Sequence, residues 1–305
     1  MEILLLPYFC SISLSLFLNM VFPCRAVLSG IFQTFVYYGK TRKETRRENF
    51  NLFDITVPKK WFAYFYLWGL IWTVFISCLA FIDTAEYEYI ASFLHFDVRV
   101  LPFAKPTKSI VIRSGHIPLE VALVLLVILL QLFRRTYESF FITRFGSSRM
   151  HLGHFAFGLF FYTSLAPLAL HQLDNGHQVT HIPIKWSFLV HCTWKQAAGI
   201  VLFLWSSLHQ FKCHTILAKL RERNERYAIP KGDWFDHVSS PHYTAEILIY
   251  LSLLLCSNCH NLYLLLPLFS TIGLLLLSAR ITHSWYKKNF KDYPIERKII
   301  IHWLY

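Results

Sequence analysis

The stretch Trp61-Phe-Ala-Tyr-Phe-Tyr-Leu-Trp-Gly-Leu-Ile-Trp-Thr-Val-Phe-Ile-Ser-Cys-Leu-Ala-Phe-Ile82 contains no charged residue from end to end. A helix needs about 20 apolar residues to cross roughly 30 Å of hydrocarbon, so this stretch reads as a membrane span. Ile3 to Phe22 and Asn261 to Ala279 read the same way. The whole chain agrees: of 305 residues, 55% are hydrophobic and 16% charged, with 28 Phe, 16 Tyr and 9 Trp. That is more apolar surface than one soluble core buries. The expected fold is an all-α integral membrane protein, a single membrane-embedded domain over residues 1–305.

Four weaker blocks complete the count. Val121 to Phe133 reaches spanning length by taking in Pro118 and Glu120, and Phe155 to Leu170 is short and holds Pro167. Trp186 to Leu208 contains Lys195, which must snorkel or find a partner. Ala245 to Ser257 is too short alone and pairs with the last block through the turn Ser257-Asn258-Cys259-His260. About seven transmembrane helices are therefore expected. The first block has no basic n-region and no small-x-small cleavage site after it, so it reads as a retained helix rather than a signal peptide.

Loop charge supports the count. Lys40 to Lys60 and Arg134 to Leu152 are basic, whereas Asp83 to His116 is balanced and His171 to Trp186 has Lys185 as its single Lys or Arg. His209 to Thr244 and the tail from Arg280 are again rich in Lys and Arg. By the positive-inside rule the N-terminus is luminal and the C-terminus cytosolic. The net charge of +12 is thus a topological signal and an attraction for anionic lipid or phosphate, not a nucleic-acid footprint.

Seven cysteines, four of them (Cys10, Cys78, Cys192 and Cys256) inside apolar blocks, argue against a disulfide framework. Cys256-Ser-Asn-Cys259-His260 has the spacing of c-type haem attachment but sits at a hairpin tip with no room for a haem. Gly176 and Pro183 break any helix that would align His171, His177 and His181. No metal site is expected.

The cytosolic segments combine cations with rings: Arg134-Arg135-Thr136-Tyr137-Glu138, His209 to His214, Leu220-Arg221, Gly232 to Phe235, Ser239 to Tyr243, His283 to Tyr286 and Asp292 to Pro294. Rings that stack on a heterocycle, with Arg and Lys for phosphates, suit a nucleotide cofactor. The same residues also suit an interfacial belt and a basic rim. Glu246, an acid at the edge of hydrocarbon, shares a helix face with His242 at i, i+4. Eleven glycines with no G-x-G exclude a Rossmann fingerprint and a P-loop, so side chains in a membrane cavity must hold any nucleotide.

The runs His209 to Arg221 and Gly232 to Glu246, and the tail His283-x-x-Tyr286 with Asp292-Tyr-Pro294 and Arg297-Lys298, resemble the steroid 5α-reductase family, most closely its polyprenol (polyprenal) reductase branch. Tyr38 to Thr41 and Arg134 to Glu138 extend the likeness, which is most specific from His209 to Glu246 within a C-terminal 5α-reductase-like region of about residues 134–305. The resemblance implies an endoplasmic reticulum membrane enzyme of seven helices, with an NADPH cavity open to the cytosol and a long-chain isoprenoid substrate entering from the bilayer. It implies NADPH contacts at Arg135, Arg221, Tyr227, His242, Glu246 and Tyr286; His214 is a further candidate, and the need for cations at three phosphates adds Lys212 beside Arg221. Departures also show. His242 stands where Asn is usual, His214 where steroid enzymes have an acid, Gln210 where they have an amide, and Ala228 where they have Arg. The carboxylate that polarises a steroid ketone has no counterpart.

The expected reaction follows from chemistry. Hydride adds to the β-carbon of a C=C bond when a conjugated carbonyl can take the charge as an enolate, so a polyprenal is a better acceptor than a polyprenol. Tyr64, Tyr137 and His283 are the candidates for polarising that oxygen, His283 the one the branch resemblance supports best. A steroid 3-oxo-Δ4 reductase, an isoprenylcysteine-type methyltransferase using S-adenosylmethionine, and a seven-span receptor without a cofactor remain open at this point.

Overall fold

The computed structural model describes residues 55–81, 118–170, 192–222 and 228–300. The block Ile3 to Phe22, the Tyr38 to Thr41 motif, the three loop histidines, Tyr227 and the loop Asp83 to His116 lie outside the described residues.

The described chain is almost entirely helical. Strand β1 (Thr56–Pro58) leads through a short 3-10 turn into α1 (Phe62–Phe81). Helix α2 (Leu119–Tyr137) runs on into a π-turn (Glu138–Ile142), and β2 (Arg149–His151) leads into α3 (Leu152–Leu170). Then follow α4 (Trp194–Glu222), α5 (Pro241–Cys256) and α6 (Leu265–Asn289). Among the described residues three helical stretches are long and apolar enough to cross a membrane: Lys59–Ala80, Leu152–Leu170 and Leu262–Asn289.

Charge separates these from the rest. Helix α2 ends on Arg134 and Arg135, and α5 is apolar but only 16 residues long. Helix α4 corrects the reading of His209 to Glu222 as loop: the helix continues well past the apolar block that ends at Leu208. The reason is a stripe of inward residues, Gln210, Cys213 and Ala218, that keeps packing against neighbouring helices after the outward face has turned polar.

Helix α4 lies along α5, α1 packs against both α2 and α3, and α6 packs on α5. Small residues set the closest approaches, as they do where helices meet in lipid. A Cβ at Gly199 of α4 would come within 2.9 Å of the Cys256 backbone nitrogen on α5, and one at Gly69 of α1 within 2.8 Å of the Tyr162 Cβ on α3. One apolar core runs through α1, α2, α3 and α5, from Ile76, Val124 and Ala166 to Ile249.

Two local devices fix the ends. β1 pairs antiparallel with β2, Val57 opposite Met150, so α1 and α3 start from one ribbon and their first turns meet at the same end of the bundle. At the other end, Asn261 donates to Leu168 O at 2.8 Å and joins the α5–α6 turn to the last turn of α3. In that turn Asn258 and Cys259 adopt left-handed backbone at φ 58° and 63°. A carbonyl inside a bilayer needs a protein partner, and the Asn261 amide supplies it.

Candidate active site

Five helices each contribute one stripe to a cavity of about 290 Å³. The stripes follow the 3–4 residue step of a helix face. On α4 the step runs Arg221, Ala218, His214, Gln210, and on α5 it runs His242, Glu246, Tyr250. Helix α1 presents Phe62, Phe65 and Tyr66; α3 presents His154, Gly158 and Tyr162; α6 presents Ser278, Leu274 and Thr271.

Read from the ribbon end inward, the lining changes character. Lys59, Arg144 and Arg221 stand at the end from which α1 and α3 start. Arg221 donates to the Arg144 carbonyl, and Arg144 pairs with Glu222 at 2.9 Å. Two guanidinium groups and the Lys59 amine stand there beside the Glu222 carboxylate, donors that suit an anion carrying several phosphates.

Further in lies a closed network. Arg134 and Arg135, at the last turn of α2, both bond Glu138, one to each carboxylate oxygen. His214 Nδ1 lies 2.6 Å from the second oxygen and 2.6 Å from Arg135. Gln210 accepts from Arg134 and donates to Glu246 and, at 3.3 Å, to the His242 carbonyl. Gln131 adds contacts to Gln210 at 3.3 Å and Glu246 at 3.4 Å. Arg135 also reaches Tyr66 on α1, donating to its hydroxyl at 3.1 Å with the guanidinium 4.8 Å above its ring.

Two guanidinium groups and two carboxylates make this network formally neutral, which is the condition for keeping charge at such depth. Glu138 is 0% exposed. Burial works against its charge, but Arg135, His214 and Arg134 outweigh that and hold its carboxyl well below the usual carboxylate range. The α-helical step makes the bidentate sharing possible, because Glu138 lies at i+4 from Arg134 and i+3 from Arg135, on the same helix face as both.

Beyond the network the lining turns aromatic and apolar. Tyr162 stacks on Phe65 at 5.5 Å and lies 5.1 Å from Tyr66, while Phe161 meets Tyr250 edge-on at 5.6 Å.

Of the residues singled out from sequence, Arg135, His214, Arg221, His242 and Glu246 come together on this lining. Lys212 is on the exposed face of α4. Tyr64 is 50% exposed, edge-on to Trp61 and Phe140, and Tyr137 is 49% exposed beside Phe141; neither lines the cavity. His283 and Tyr286 belong to a second buried cluster. There Ser239 Oγ lies 2.5 Å from His283 Nδ1 and 2.6 Å from Tyr293 Oη, and Tyr286 stacks on Tyr293 at 5.4 Å. Val238 bridges Lys298, Ser239 N donates to the Lys298 carbonyl at 2.9 Å, and Arg297 donates to Pro230 O at 3.1 Å, so the tail is folded back on the 230–240 segment. Glu138, Tyr66, Tyr162 and Tyr250 were not singled out as site residues. Tyr250 was findable, since it continues the His242, Glu246 face by one more turn.

A polyprenal reductase of Homo sapiens is 32% identical over 300 residues, 96% of this chain and 92% of that protein. The chain belongs to the steroid 5α-reductase family. The profile described as 3-oxo-5-alpha-steroid 4-dehydrogenase matches residues 177–305. A polyprenal reductase of Ailuropoda melanoleuca is 31% identical over 96% of this chain and 92% of its own length. Polyprenal reductase 1 of Oryza sativa subsp. indica is 31% identical over 81% of this chain and 79% of its own length. The likeness to these relatives therefore extends over both parts of the cavity, the α1–α3 side as well as the α4–α6 side matched by the family profile.

Proposed function

We propose that this protein is an NADPH-dependent reductase that saturates the C=C bond nearest the oxygen end of a polyprenal, giving the saturated terminal unit of the dolichol type. The observation that carries the reading is the gradient along one cavity, from cations through a neutral polar network to an aromatic, apolar end. Such a lining fits a phosphate-rich cofactor and a polyisoprenoid aldehyde meeting head to head. The relatives bear the name of that activity over nearly their whole length.

The donor set fits NADPH. Lys59, Arg144 and Arg221 would hold phosphates, Arg through its bidentate fork, and His242 and Glu246 would hold the ribose and nicotinamide amide. When bound, NADPH supplies the hydride for the β-carbon of the enal. The chain's part is to orient the aldehyde, keep water from the reacting carbons with Phe65, Phe161 and Tyr162, and stabilise the charge that develops on oxygen. A long isoprenoid tail can stay in lipid while its polar end reaches the cavity, which accounts for a small polar reaction being housed in a membrane protein.

Seven spans, a luminal N-terminus, a cytosolic C-terminus and residence in the endoplasmic reticulum membrane complete the proposal. The loop charges support it. Glycosylation acceptors placed loop by loop test the topology, and modification of one between Lys40 and Lys60 would overturn it.

The function is tested by supplying polyprenal, polyprenol and a 3-oxo-Δ4 steroid separately with NADPH and following products by mass. Polyprenal is expected to have the highest kcat/KM. A steroid turned over far faster, or purified protein that retains S-adenosylmethionine instead of NADPH, overturns the assignment.

A further inference from the structure

Tyr66 is set apart from Tyr162 and Tyr250 on the cavity lining by the Arg135 N–H that its hydroxyl accepts at 3.1 Å. Its oxygen is occupied by a cation's N–H, so its own hydrogen is directed to another acceptor. The Arg135 guanidinium lies 4.8 Å from the ring centroid, so a cation is in place beside that hydroxyl. Neither Tyr162 nor Tyr250 has a guanidinium against its hydroxyl among the described residues. Glu246 already accepts from Gln210 and Gln131. Ser139 also lines the cavity with a hydroxyl that bonds no described residue, but no cation polarises it. Tyr66 further stands at the junction of the network and the aromatic end, 5.1 Å from Tyr162, where an aldehyde arriving from the apolar side would meet its first donor.

We propose that Tyr66 is the catalytic donor to the aldehyde oxygen, with Arg135, held by Glu138 and His214, as the residue that positions it. This rests on the polyprenal reading above. As hydride from NADPH forms the new C–H bond at the β-carbon, the C=C pair shifts to make a double bond between the α- and carbonyl carbons, and the carbonyl π pair moves onto oxygen. Tyr66 gives that oxygen its proton, leaving an enol and a phenolate paired with Arg135. The phenolate regains a proton from water. The enol becomes the saturated aldehyde when its oxygen loses a proton and the α-carbon gains one. The sum is one hydride from NADPH and one proton from water.

The test uses the full chain in lipid nanodiscs, with NADPH affinity read by nicotinamide fluorescence and turnover measured on two acceptors. One is polyprenal; the other is a nitroalkene on the same chain, whose nitronate is stable without an acid. Tyr66→Phe should leave NADPH affinity and polyprenal KM within about threefold while lowering kcat on polyprenal by about 100-fold or more, the scale of a lost oxyanion donor. On the nitroalkene the loss should be less than about tenfold. Arg135→Lys should fall between wild type and Tyr66→Phe on polyprenal and show the same acceptor dependence. Equal losses on both acceptors, an unchanged kcat, or a larger loss from Tyr64→Phe overturns the assignment. If Tyr66→Phe does not fold, 3-fluorotyrosine placed at position 66 keeps the shape and makes the phenol more acidic. An altered kcat at constant NADPH affinity then supports the proposal, and an indifferent kcat overturns it. Wild-type protein that binds NADPH yet leaves polyprenal untouched overturns the functional reading itself, a result separable from failure of Tyr66 alone.

Discussion

The cluster around Glu138 and the cluster around Ser239 are both buried, both polar and both rich in residues that the sequence marks out, yet they are built for different ends. In the second, Ser239, His283, Tyr293 and the Lys298 carbonyl bond one another and none of them lines the cavity. In the first, charged groups line a cavity, and the Tyr66 hydrogen remains for a ligand. A polar group satisfied by its own fold holds the fold together, whereas one left with capacity towards a cavity is available for chemistry. That difference separates His283 from Tyr66 more sharply than residue type does.

The largest effect expected from breaking this comparison is at Glu138. Glu138→Gln leaves Arg134 and Arg135 buried without their shared carboxylate, and losing one partner of a buried ion pair costs about 3–5 kcal/mol. Thermal unfolding in nanodiscs should show a marked drop whether or not NADPH is present. A variant as stable as wild type would mean that the two guanidinium groups find other anions. Next is Arg221→Ala, which removes a charge-assisted contact worth about 1.5–3 kcal/mol. NADPH affinity should fall by roughly 10- to 100-fold with kcat at saturation little changed. Lys212→Ala, on the exposed face of the same helix, should shift it by less than about twofold. Equal effects at the two positions would show that the cations at the ribbon end do not hold the phosphates.

The smallest effect on turnover is expected at His283. His283→Ala removes one hydrogen bond from the Ser239 cluster and should lower stability by about 1–3 kcal/mol. The folded fraction should keep kcat within about threefold. A kcat loss of 100-fold in a variant of unchanged stability would return His283 to the chemistry.

Much of this was legible in the chain. Charge-free runs such as Trp61 to Ile82 are long enough to cross hydrocarbon, and that length and composition can be read from the chain directly. The i, i+4 spacing of His242 and Glu246 was legible as well, since one helix sets it. Tyr66 and Tyr64 looked alike in sequence, two residues apart in an aromatic run, and only packing put one on the lining and left the other exposed. The spacing of Glu138 at i+4 from Arg134 and i+3 from Arg135 was legible too, but its burial and its contact with His214, which lies 76 positions away, were not.

The sequence by itself determined that this protein lives in a membrane, which ends carry its charge, and which segments resemble a reductase. These follow from solvent and periodicity, which act on each segment separately. Only the tertiary structure decided that Arg135 meets Tyr66 and His214 while His283 meets Ser239. Which polar groups are satisfied within the fold and which retain capacity depends on partners 44 to 79 positions apart, brought together by helix packing.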